Sequence, residues 1–103
     1  MEHEVVFHPQ AKVELEELYE HISERASPAI AWSFVAGIRD HCRSLSTFPA
    51  RGTERTEIKP GLRIVGYRRT VSIAFAVENE RVLILGIFYG GRNITPELFE
   101  ERR

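Results

Sequence analysis

The stretch Val82–Tyr89 is apolar on both alternating faces, and no other part of the chain restricts the fold as much. A half-buried strand alternates apolar and polar residues. One that is apolar throughout belongs in the middle of a sheet, covered on each side or paired to a partner. The preceding Val71–Val77 does alternate, with Val71, Ile73, Phe75 and Val77 on one side and Ser72, Ala74 and Ala76 on the other. An earlier strand is expected from about Thr56 to Tyr67, broken or bulged at Pro60 and Gly61 because proline cannot donate to a ladder. Arg68–Thr70 and Glu78–Arg81 are hairpin-length connections between these strands.

The N-terminal half has a different period. Val5, Val6 and Phe7 form a short apolar run read as a first strand, stopped by His8 and Pro9. Ala11, Leu15, Leu18 and Ile22 then recur at helical spacing, which predicts an amphipathic helix over residues 9–25 with its glutamates in water. Ser27 and Pro28 have the residue types of an N-cap and first helical position, so a second helix starts there. Its buried seam is Ala31, Val35, Ile38, Cys42 and Leu45, and Phe48 and Pro49 close it, with residues 50–54 as loop. The break at Ala26 is short enough to fold the two helices into an antiparallel hairpin. Thr95 and Pro96 start a short C-terminal helix ending in Arg102 and Arg103. The expectation is a single domain over residues 1–103 of α+β class. Its order is β-α-α-β-β-β, with a helical hairpin on a mainly antiparallel sheet and a short C-terminal helix.

Several function classes fall away on composition. No stretch reaches ~18 apolar residues, the N-terminus lacks a secretory pattern, and one cysteine cannot form an internal disulfide framework. The cytoplasm is therefore the expected compartment. His3, His8, His21 and His41 lack metal-ligand spacing, the carboxylates form no catalytic pair, and no cofactor or metal is expected. Charge is unevenly spread. Residues 1–24 carry seven acids against Lys12, a local −6, which leaves +5 for the rest of a chain whose net charge is −1. Residues 51–69 alone hold six bases against Glu54 and Glu57. That asymmetry allows a basic binding face, whereas a net charge near zero argues against tight autonomous binding to DNA.

Taken in order, the Pro9-Ala11-Leu15-Leu18-Ile22 helix, the apolar second helix, Gly52, Arg55, the Pro60-Gly61-Leu62-Arg63 string, Tyr67, Ile73, Phe75 and the Gly90-Gly91-Arg92-Asn93 exit resemble the ParE/RelE superfamily of bacterial toxins. The resemblance spans nearly the whole chain. It implies the toxin of a type II toxin–antitoxin (plasmid stabilisation) system, neutralised by a ParD-like antitoxin in a hetero-oligomer, with a non-toxic homologue that serves only as a binding partner as an alternative.

Two branches of the superfamily imply different chemistry. RelE-like members cut ribosome-bound mRNA, which needs an acid, a base and cations around the reacting phosphate. Lys59, Arg63, Tyr89 and Arg92 would be the candidates here. Glu57, expected on the same strand face as Lys59, would repel that phosphate. ParE-like members inhibit DNA gyrase by binding, and the modest net charge and the Pro60-Gly61-Leu62-Arg63 string favour this branch. On that reading there are no catalytic residues. Arg55, Lys59, Arg63 and Arg92 would meet the target, and Leu15, Leu18, Ile22, Trp32 and Val35 would form an apolar groove for the antitoxin. Trp32 lies one residue off the main seam and is expected to pack between helix and sheet.

Overall fold

The computed structural model describes residues 2–102. Strand β1 (Glu4–Phe7) leads into helix α1 (Pro9–Arg25), which turns at Ala26 into helix α2 (Pro28–Arg43). A 3-10 turn (Ser44–Ser46) follows, then strands β2 (Thr53–Glu54), β3 (Leu62–Tyr67), β4 (Val71–Glu78) and β5 (Arg81–Tyr89), and a 3-10 turn at Pro96–Phe99. Both helices start as their first residues dictate. Ser27 Oγ accepts from the Ile30 amide at 3.1 Å. His8 caps α1, its Nδ1 accepting from the Gln10 amide at 3.0 Å.

The five strands form one sheet in the order β1-β5-β4-β3-β2, with β1 parallel to β5 and the other pairs antiparallel. β5 thus lies inside the sheet, as its two apolar faces require. A bulge places Ala74 opposite Gly86 and Phe75 opposite Ile84, so Leu85 is the extra residue on β5. The helices cover one face, where Leu15, Val35, Ile38 and Leu45 pack on Val71, Ile73, Phe75 and Ile84. The other face is covered by Ile58 and the C-terminal segment, with Leu62, Leu85, Phe88 and Phe99 at its centre.

Three local expectations are corrected. Residues 56–61 are turns instead of strand, because Gly61 at φ +80° and Pro60 cannot sustain a ladder. β3 therefore begins at Leu62, and Thr53–Glu54, expected as loop, pair with Arg63 and Ile64. The C-terminal helix is a single 3-10 turn ending at Phe99; Arg103 lies outside the described residues.

Gly37 on α2 is where the sheet approaches the helix most closely. The Tyr67 hydroxyl occupies the very space that a Cβ at Gly37 would fill. The Tyr67 ring has little freedom to move aside, since Phe34 meets it edge-on at 5.7 Å and His41 at 5.5 Å. Gly37→Ala should cost roughly 1–3 kcal/mol of stability through overpacking, although alanine is the better helix former. Urea denaturation checks this, and a stabilised variant would contradict it.

Candidate functional site

Three of the six basic side chains of residues 51–69, those of Arg51, Arg55 and Arg63, are held by the protein itself. Arg63 Nε and Nη2 donate to the carbonyls of Arg51 and Ala50, both at 3.1 Å, and Nη1 meets Glu54 at 3.2 Å. The guanidinium thereby staples the 50–54 segment to β3. Arg55 donates to the Glu57 carboxylate, and this hydrogen bond holds the Glu57 carboxyl below its ordinary range. Lys59 and Glu57 sit on the 56–61 turn, so they do not share a strand face.

The four nuclease candidates are spread over separate places. Arg63 borders a shallow cavity with Pro49, Glu54, Gly61 and Val77. Tyr89 and Arg92 line another, of about 310 Å³, between α1 and the end of β5. Through the ladder, Arg63 lies beside Phe75 and Phe75 beside Ile84, whereas Tyr89 pairs with Val71 at the far end of β5. Within its cavity Tyr89 meets His21 edge-on at 5.5 Å. Arg92 lies over Phe88 at 5.3 Å, with Nη1 4.0 Å from Glu14, and Glu17 lines the same space. Two carboxylates beside this arginine are a poor setting for an RNA phosphate.

Glu14 corrects the expectation that all α1 glutamates face water. It is 8% exposed and Arg102 6%. β1 ends opposite Ile84, so the next part of β5 has no strand on that side among the described residues. Glu14 Oε1 accepts from the Ile87 amide at 3.0 Å, and its carboxylate holds Arg102 through Nη1 at 3.1 Å and Nη2 at 3.0 Å. Arg102 Nη1 also donates to the Leu85 carbonyl at 3.0 Å. The guanidinium lies over Gly86, where a Cβ would come within 2.7 Å of Nη1. One buried ion pair thus completes the sheet edge and ties down the C-terminal segment.

Between α1 and α2 runs a groove of about 350 Å³. Leu15, Tyr19 and Val35 line it, with Glu16 and Glu20 from α1 and Trp32 and Arg39 from α2. Trp32 is 65% exposed, so it stands at the groove and does not pack between helix and sheet. Of the five residues expected to form an antitoxin groove, the structure brings together Leu15, Trp32 and Val35. Leu18 faces the Tyr89 cavity, and Ile22 packs on the core.

Two histidines tie stability to pH. Burial, then the Arg102 charge, lowers the pKa of His8; burial, then Arg51, lowers that of His41. Both are more basic in the unfolded chain, so the stability they contribute is complete above about pH 6.5 and lost as pH falls through their lower folded values. The melting temperature should drop between pH 7.5 and 5.5. The drop should be shallower in His8→Asn/His41→Gln, which removes both titrating rings while leaving a residue type that caps a helix ahead of α1. Equal slopes would contradict this assignment. Burial pushes the Cys42 thiol up to about 12, which makes it a core residue and no nucleophile.

A family model described as "ParE toxin of type II toxin-antitoxin system, parDE" matches residues 5–94. The chain belongs to the ParE toxin family. That match takes in both helices, all but the first residue of the sheet, and the Gly90–Asn93 exit. A solved structure described as the chromosomal ParDE TA system from P. aeruginosa is similar in fold. Its TM-score is 0.76 at 24% identity, over 85% of this chain and 96% of that one. No curated protein matches significantly. No helix among the described residues is long and apolar enough to cross a membrane.

Sequence reasoning missed Glu14, Arg102 and His21. Glu14 carried a signal, because it lies on the Ala11–Leu15–Leu18 stripe; His21 and Arg102 carried none.

Proposed function

We propose that this ParE-family chain is a type II toxin of the plasmid-stabilisation kind that inhibits DNA gyrase by binding it. A ParD-like antitoxin keeps it silent. The observation that carries the binding reading is the separation of Arg63 from Tyr89 and Arg92. RNA cleavage needs base, acid and cations converging on one phosphate. Here Arg63 is committed to loop carbonyls, and Tyr89 and Arg92 face Glu14, Glu17 and His21 across another cavity. Within the target-binding set, Lys59 and Arg92 are the members that no side-chain hydrogen bond holds among the described residues, while Arg55 and Arg63 mainly shape their loop.

The antitoxin tail docks as an amphipathic helix in the α1–α2 groove, its apolar side on Leu15, Val35 and Trp32. Glu16 and Glu20 along one lip and Arg39 on the other suit a tail with bases on one edge and acids on the other. Arg43 is already paired with Asp40 at 3.2 Å, so Arg39 is the cation this groove offers.

Induced expression without antitoxin tests the function. Filamentation and a DNA-damage response should precede any fall in protein synthesis, and primer extension on ribosome-bound message should show no new cuts. Early translational arrest with discrete cuts would replace this reading with the nuclease one.

A further inference from the structure

The β3–β4 hairpin tip carries a conformational anomaly that the family reading leaves unused. Arg68 and Arg69 both have left-handed backbones, at φ +50° and +65°. Consecutive positive φ values are the conformation that Asn-Gly pairs fill and that residues with long side chains rarely adopt. The β4–β5 hairpin of the same sheet follows that preference, placing Asn79 at φ +55°. Strained positions of this kind concentrate at functional sites.

The two side chains are also available. Both residues are exposed, and neither forms an ion pair among the described residues, whereas Arg55, Arg63 and Arg102 all do. Arg68 lies over the Tyr67 ring at 5.5 Å, a cation–π contact that leaves its N–H donors without a hydrogen-bond partner among the described residues. The tip is anchored rigidly: Tyr67 pairs with Val71, and the Gly90 amide donates to the Thr70 carbonyl at 2.8 Å.

We propose that the Arg68–Arg69 tip is the element that grips the target, closing two guanidinium forks on paired carboxylates of an acidic protein surface. This rests on the reading of the chain as a binding inhibitor. Arginine forks match carboxylate and phosphate alike, but a polyanionic nucleic acid fits this place poorly. Nucleic-acid affinity is built up over many phosphates, each neutralised by a cation. Two free arginines on a narrow tip fall short of that, and Glu17 beside Arg92 works against it.

Arg68→Asn/Arg69→Gly separates backbone from side chain, because it installs residues suited to the observed φ values and removes both charges. The melting temperature should rise, by about 4 °C or more. Capture of a co-expressed ParD-like antitoxin should not change. The concentration needed to inhibit purified gyrase in a supercoiling assay should rise at least about tenfold. Wild-type inhibition with an equally potent variant overturns the tip and leaves the function standing. If wild type spares gyrase, the gyrase reading falls, and growth arrest decides the tip: arrest lost in the variant supports it, arrest retained overturns it. A wild type that neither arrests growth nor inhibits gyrase overturns both. Submicromolar binding of wild type to a 30-base-pair duplex, lost in the variant, would reassign the tip to nucleic acid and overturn the carboxylate partner.

Discussion

Glu14→Ala should destabilise the protein by about 3–5 kcal/mol, because it strands a buried guanidinium in an apolar setting. Arg102 is wedged over the rings of Phe88 and Phe99, at 5.4 Å and 5.8 Å, and cannot recover water without leaving the core. The same substitution removes the acceptor for the Ile87 amide beyond the end of β1. Arg102→Ala should be damaging for the reciprocal reason, leaving a buried carboxylate with the Ile87 amide as its close donor. The double variant should lose far less than the sum of the two, since the pair acts as a unit. Glu14→Gln keeps an acceptor for Ile87 and should fall between wild type and Glu14→Ala. Hydrogen exchange at Leu98 and Phe99 should quicken in both single variants as the C-terminal segment detaches. A loss below about 1 kcal/mol in Glu14→Ala would mean that the pair is solvated in practice.

Trp32→Ala should leave the fold nearly unchanged, within about 0.5 kcal/mol, as expected for a surface position outside the core. Its effect should fall on the antitoxin. A tryptophan beside an apolar floor is the residue type that dominates binding energy, and its truncation should cost about 2 kcal/mol, roughly thirtyfold in Kd. Ile22→Ala makes the contrast. Ile22 packs on the core, so its loss should lower stability while the affinity of the folded protein holds. Calorimetry of both variants against a ParD-like antitoxin checks the pair. Unchanged affinity in Trp32→Ala would move the antitoxin to another surface.

The architecture is readable in sequence wherever one physical signal dominates. Ser27-Pro28 marks the start of α2, the seam from Ala31 to Leu45 sets its inner face, and the two-sided apolarity of Val82–Tyr89 puts β5 inside the sheet. Pro60 and Gly61 are visible as a disturbance, but their effect is stronger than a break or bulge: they remove residues 56–61 from the strand altogether. That difference also displaces Glu57 and Lys59, since a shared strand face needs a strand. Glu14 belongs in water on its charge, although its spacing puts it on the buried stripe. What makes its burial tolerable is Arg102, 88 residues away, and no local pattern announces so distant a counter-ion. The target set suffers similarly. Arg55 and Arg63 are target contacts on the sequence reading, and only the folded loop shows them committed to Glu57, Glu54 and two carbonyls.

The most direct test of the central claim is a supercoiling assay in which purified chain is titrated against DNA gyrase, with and without a ParD-like antitoxin. The account predicts that supercoiling falls with added chain and returns when antitoxin is supplied in equal amount. Undiminished supercoiling at a large molar excess of folded chain would contradict it.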